Sequence, residues 1–445
     1  MKTGFLMLTA LISLSPALYG QATPTAVATP SSSLSPSFRG PITDGEVHYS
    51  LSAGEIISHG LFSGSGTETT TNLSGAAGYS SRSERLPFSM VYSGGILIST
   101  MSGQTFQTFQ NASLAQQFIT PRWVFGVSDS VSYLPQSPTT GYSGIAGVGD
   151  LGPLQGPGQG PAGGILTNYG KRVSNSLDGN LERKLTASTS IVGSADYSIL
   201  RFIDGVGLDT TGITGTVGLN HRWNARTTIG AEAVYSIFTY GTYPGVPEQL
   251  SLSGLSFQTR GINLVFQRLL THNLSVSASA GPQLINSSNE TLSPSVTTGA
   301  GSIGLSYTHR LTTASITYVR GANGGSGVQQ GTISDSISAS VNRSYGRDWH
   351  AAITGSYTHS SGLIKSQAIN QLLGIAQTYN SFYGGLQVTR RLGMHTTGYF
   401  SYTVQAQNSS SSTVPNGPNV FSGVGNIFSL GVTWAPRATS LAQLF

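Results

Sequence analysis

The sequence predicts an all-β fold, a closed antiparallel up-and-down transmembrane barrel of about 18 strands, with roughly 16 as the fallback. Three observations predict it: apolar and polar residues alternate with period two, the breaks between runs alternate short and long, and all four tryptophans fall at one rim. Composition agrees. Of 445 residues only 9% are charged, and the polar positions are filled by Ser, Thr, Asn, Gln and Gly. Soluble domains carry roughly 25% charged residues, which argues against ordinary soluble α/β architecture. The chain has 0 Cys, which removes disulfides, thiolate metal sites, a Cys nucleophile and a lipidated N-terminal Cys. A net charge of +5 comes from few residues and marks no nucleic-acid surface.

Residues 1–22 read as an export signal, with Lys2 as the basic start, an apolar run from Phe5 to Leu14, and Gly20-Gln21-Ala22 offering small residues for cleavage. Residues 23–45 form a Pro/Ser/Thr-rich lead-in without periodicity, expected to be disordered. It is too short for a plug domain, which argues against an energised receptor. No stretch reaches the roughly 18 consecutive apolar residues of a membrane helix, whereas a barrel hides its lipid face in alternation.

The barrel is assigned to 46–436 and a C-terminal tail to 437–445. Glu46 to Ile57 and Thr71 to Arg82 alternate weakly; from Pro121 onward the pattern is plain. Trp123, Phe125, Val127, Val131 and Tyr133 share one face, and Gly126, Ser128, Ser130 and Ser132 the other. Ile213, Val217, Leu219 and Trp223 oppose Thr214, Thr216, Asn220 and Arg222. The same grammar recurs in Ile229 to Ile237, Ile303 to Tyr307, Ile333 to Val341, Phe400 to Val404 and Phe428 to Trp434. Runs of about ten to fourteen residues suit tilted strands crossing a bilayer. Two irregularities stand out. Asp129 occupies the apolar phase, which a bulge, a slipped register or a protomer interface would explain. The apolar phase also changes near Gly261, which suggests a β-bulge.

Tight breaks such as Trp223 to Arg226, His309 to Thr312, Tyr345 to Asp348 and Arg390 to Met394 alternate with longer ones such as Tyr240 to Gly254. Trp123, Trp223, Trp349 and Trp434 all lie beside the short-turn side in the apolar phase, where they would form an interfacial aromatic girdle.

With these features the chain resembles bacterial outer-membrane β-barrels, porin-like in size and strand number, over Glu46 to Pro436. The resemblance implies residence in a Gram-negative outer membrane, contact with its lipid bilayer, delivery by the outer-membrane assembly machinery, and a channel for small hydrophilic solutes. Gly425, Phe428 and Leu430 fit the terminal-strand assembly signal of that class, extended by Trp434, although the chain runs on to Phe445. A homo-oligomer would fit the class, with Asp129 as a place to look for the contact.

Chemistry-bearing motifs are sparse. Gly147-Val148-Gly149-Asp150-Leu151-Gly152 matches a dinucleotide pattern, but Pro153 denies it the following helix. The eight His have no metal spacing, and five lie beside short turns. No cofactor and no metal are expected. Lys184, Arg222, Arg310, Asp178, Glu182, Asp196 and Glu232 carry the polar phase and are the candidate lumen charges. The many Arg beside short turns either anchor the barrel in headgroups or form a basic mouth that favours anions. Loop 135–170, rich in Gly and Pro, is the expected constriction unless it is a surface loop. The resulting expectation is passive diffusion of small hydrophilic solutes with a slight anion preference. The alternatives are a structural or export-associated barrel passing a polysaccharide, and an enzyme with Ser, His and acid at the outer rim.

Overall fold

The computed structural model describes residues 45–60, 66–81, 83, 85–100, 106–134, 171–203, 207–241, 254–291, 293–325, 327, 329–365, 376–410, 422–436 and 439–440. The export signal, almost all of the lead-in, loop 135–170 with its Gly-rich motif, and most of the tail lie outside these residues. Alternation becomes 18 long strands: β1 (Gly45–His59), β2 (Thr67–Ser81), β3 (Phe88–Ser99), β4 (Phe106–Ile119), β5 (Trp123–Leu134), β6 (Arg172–Lys184), β7 (Thr189–Phe202), β8 (Thr210–Asn224), β9 (Thr227–Tyr240), β10 (Ser256–Leu269), β11 (Leu274–Ser287), β12 (Val296–His309), β13 (Thr312–Asn323), β14 (Thr332–Tyr345), β15 (Trp349–Gly362), β16 (Thr378–Arg391), β17 (Thr396–Ser409) and β18 (Gly423–Trp434). Each pairs antiparallel with its chain neighbour, and β1 pairs with β18 from Leu51↔Trp434 to His59↔Asn426. Closure leaves no long edge, so the strands satisfy one another's backbone groups without water along most of the wall. A two-residue β19 (Thr439–Ser440) pairs with Val47 and Glu46, so part of the tail continues the line of β18 along β1.

Period two decides which side chains face out. Leu51, Ile213, Val217, Ile262, Leu264, Ile303, Ile353 and Leu430 point from the outer wall, with Leu264 69% exposed. An apolar surface this extensive is costly in water and stable in lipid. Tight turns gather at one end. Between β8 and β9, the Arg226 N–H donates to Asn224 Oδ1 at 2.8 Å, an Asx turn. Between β12 and β13, Arg310 takes φ 45, the left-handed conformation that a two-residue hairpin requires. A closed antiparallel barrel with an apolar belt and short turns at one end has the architecture of a bacterial outer-membrane β-barrel.

The structure revises both irregularities. β10 holds one register against β9 from Ser256↔Thr239 to Arg268↔Thr227 with no shift at Gly261, whereas its pairing with β11 is interrupted beside that glycine, between Gly261↔Gln283 and Leu264↔Ala280; a register shift lies at Arg222/Asn224 beside a turn. The apolar phase changes because Phe257 points inward, as described below. Asp129 sits in unbroken register, opposite Leu114 and Leu177, and faces outward. Asn175 Nδ2 donates to Asp129 Oδ1 at 2.7 Å, giving this carboxylate a partner on the outer wall.

Candidate functional site: the barrel lumen

All four tryptophans occupy outward register at the short-turn end: Trp123 opens β5, Trp349 opens β15, Trp434 closes β18 and Trp223 lies next to the end of β8, 72% exposed. Arg183 lies 4.8 Å from the Trp123 ring centre and Arg390 lies 4.9 Å from that of Trp349. Arg183, Arg268, Arg343 and Arg390 share the outward phase of their strands, and Arg226, Arg310 and Arg347 sit in turns. Most arginines of this end therefore stand at headgroup level. Arg310 leaves the set of wall charges, because its place is a turn.

The other candidate charges lie in inward register on neighbouring strands. Asp178 of β6 faces Asp196 of β7 directly, and Ser176 Oγ lies 3.3 Å from Asp178 Oδ2 and 3.1 Å from Asp196 Oδ2. Two inward positions nearer the turns, the row Glu182↔Val192↔Gly218↔Glu232 places one carboxylate on β6 and another on β9. Glu232 accepts from Asn263 Nδ2 at 3.4 Å. Lys184 is the last residue of β6, and Arg222 turns its guanidinium to the Ala187 carbonyl at 2.8 Å. On the described strands the inward bases (Arg172, Lys184, Arg222 and Arg391) stand near strand ends, while Asp178, Asp196 and Glu232 stand near strand centres.

The inward side is not polar throughout. Leu208, Phe238, Tyr240, Leu255, Phe257, Ile285, Ala322, Leu363 and Ile364 form one buried apolar cluster. It assembles because the loop-side end of β13 leaves β12. Their pairing runs only as far as Gly301↔Arg320, and the Ala322 N–H donates instead to Gln283 Oε1 of β11 at 3.1 Å. The segment between β13 and β14 is then tied across the barrel to the start of β8 and, nearer by, to the connection between β15 and β16. Leu208 N–H donates to Gly327 O at 2.8 Å, Leu363 N–H to Gly331 O at 3.1 Å, and Gln329 Nε2 to Ala376 O at 2.6 Å. Gly327 has φ 73, and a Cβ there would fall 2.5 Å from the Phe202 ring, so only glycine fits. Tyr240 and Phe257 meet edge-on at 6.0 Å.

This inward-folded end was missed in the sequence. Its signals were the inward phase of Phe238, Tyr240 and Phe257, against the strand rule, and the glycines from Gly321 to Gly331. The segment nominated for the role, 135–170, lies outside the described residues.

The wall formed by β14 to β17 is different. Its inward rows read Ser336↔Thr358↔Ser381↔Gln407, Ser338↔Ser356↔Tyr383↔Gln405 and Ser340↔Thr354↔Gly385↔Thr403. None of these residues is charged.

The short-turn histidines engage uncharged neighbours: His221 with Thr189 at 3.0 Å, His309 with Asn273 at 2.9 Å and His350 with Ser344 at 3.1 Å. Among the described residues no group of His, Asp or Glu is arranged to hold a metal ion.

No family model and no curated protein matches the chain. Solved outer-membrane structures do. Pseudomonas aeruginosa OprD is 10% identical with a TM-score of 0.42, covering 90% of this chain and 97% of its own. Pseudomonas aeruginosa OccK9 (OpdG) is 11% identical with a TM-score of 0.44, covering 89% and 100%. Acinetobacter baumannii OccAB4 is 8% identical with a TM-score of 0.41, covering 89% and 99%. At such identities the lumen has to be interpreted from this chain's own residues.

Proposed function

We propose that the protein is a narrowed diffusion channel for small hydrophilic solutes across the bacterial outer membrane. The observation that carries this reading is a closed wall whose inward register is mostly Ser, Thr, Asn, Gln and Gly, constricted on one side by the inward-folded β13–β14 end. A barrel of this strand number encloses a water-filled bore unless side chains or loops fill it. Here the filling is local and apolar, and the hydroxyl-rich wall of β14 to β17 stays opposite the carboxylates. Charge preference follows from depth. Carboxylates near the strand centres act where the passage is enclosed, and Lys184, Arg222 and Arg391 at strand ends face bulk water that screens them, Arg172 being buried at the end of β6. The reading is therefore a weak cation preference. The expected anion preference rested on a basic mouth of arginines beside the short turns; of that set, Arg183, Arg268, Arg343 and Arg390 share the outward phase of their strands.

An export-associated barrel held shut at rest is the second reading, favoured by the tie from Gly327 across the barrel to the start of β8. Swelling of proteoliposomes separates the two. A diffusion channel admits small sugars and amino acids at rates that fall with solute size, and an export barrel without its partner admits none.

A further inference from the structure

We infer that Arg260, on the outer wall of β10, binds the phosphate group of a lipid in the outer leaflet, which meets the loop-side end of the barrel. The inference concerns the lipid face and is independent of what passes through the lumen. Outward tyrosines mark the headgroup level of that leaflet. Tyr235 of β9, Tyr318 of β13 and Tyr357 of β15 are exposed in the loop-side half of their strands. Each hydroxyl donates to a side chain nearer the loops: Gln258 at 3.4 Å, Asp335 at 2.6 Å and Asn380 at 3.0 Å. They are the counterpart of the tryptophans at the other rim, with the ring toward hydrocarbon and the hydroxyl toward headgroups.

Three outward arginines stand in the loop-side part of this wall, Arg201, Arg260 and Arg320. Arg320 Nη1 lies 2.7 and 2.6 Å from the two carboxylate oxygens of Asp335, and Arg201 Nη1 lies 3.6 Å from Asp209 Oδ2. Arg260 is different. Its cross-strand neighbours are Tyr235 and Leu284, its guanidinium stands 5.7 Å from the Tyr235 ring centre, and its Nη2 donates to Gln258 Oε1 at 3.5 Å. Among the described residues no carboxylate forms an ion pair with it. The next outward residues toward the turns are Ile262 and Leu264, both exposed to lipid. A cation at the edge of hydrocarbon is stabilised by water or by an opposite charge at headgroup level. At Arg201 and Arg320 the protein supplies that charge; at Arg260 the lipid does. The guanidinium is a planar fork of five N–H donors, of which Gln258 takes one, and the oxygens of a phosphate accept the others in pairs. Tyr235 and Gln258 hold the fork in place.

The test titrates the refolded full-length protein, in a neutral detergent, with diphosphoryl lipid A or with the same lipid stripped of its phosphates, and reads bound lipid by native mass spectrometry; inorganic phosphate serves as competitor. Diphosphoryl lipid A is expected to bind saturably, and the stripped lipid roughly tenfold more weakly or worse. Arg260→Gln should weaken lipid A binding by a similar factor. Arg260→Lys keeps the charge and loses the fork, so it should fall between, and it gives a second reading should the Gln variant fail to refold. Arg347→Gln removes the same charge from a turn and should bind as the parent does. Circular dichroism confirms parental strand content in each variant. Equal binding of the stripped lipid, parental binding by the Arg260 variants, or an equal loss in Arg347→Gln would overturn the inference. Displacement of lipid A by equimolar inorganic phosphate would overturn it in favour of free phosphate as the ligand.

Discussion

The two long walls of the lumen are built by the same strand rule and have opposite characters. On β6 to β9 the inward phase carries Asp178, Glu182, Asp196 and Glu232 and then, toward the loop side, Leu200, Phe202, Phe238 and Tyr240. On β14 to β17 the same phase carries hydroxyls, amides and tyrosines. Alternation fixes only which residues face inward; what the passage does depends on which wall a solute meets. One wall joins carboxylates to an apolar constriction, and the other offers hydrogen bonds without charge.

The constriction gives the largest expected effect. Phe257→Ala should cost about 3–5 kcal/mol of stability, as for a large buried aromatic, and should raise single-channel conductance by loosening the β13–β14 end; unfolding in urea and conductance check the two parts. Next, the outer wall sets a contrast with both inner ones. Leu264→Arg places a charge on the lipid side near mid-strand and should cost about 2–4 kcal/mol, whereas Ser338→Arg on the inward side should cost far less in the same titration. Replacing Asp178 and Asp196 together by Asn should move the reversal potential in a salt gradient toward zero, and replacing Ser338 by Asp should move it further toward cations. The smallest effect belongs to the rim. Trp349→Ala removes the ring under Arg390 and should cost about 0.5–1 kcal/mol, measured by thermal unfolding of the inserted protein.

Much of this was legible in the sequence because period two is a local property. Ile213 to Trp223 and Phe428 to Trp434 announce both the strand and its lipid face, and the four tryptophans mark one rim without any structure. Facing Asp178 with Asp196 needed register, which sequence spacing does not supply. The polar phase of β14 to β17 was visible in the sequence, yet the deep burial of Thr354, Ser356, Thr358 and Gln405 emerges only when they are placed against their neighbours. The apolar cluster was illegible for a different reason. Phe257 and Tyr240 violate the polar-inside rule of a pore, and the violation reads as a bulge until the β13–β14 end is seen to cover them. Arg310 shows the reverse case, where a phase count was extended past the strand end into a turn.

The most direct test of the channel account is single-channel recording of the refolded protein under a potassium chloride gradient. The account predicts stable conductance steps with a reversal potential displaced modestly toward the potassium equilibrium value. Silence from protein shown to be folded and inserted, or a clear displacement toward the chloride value, would contradict it.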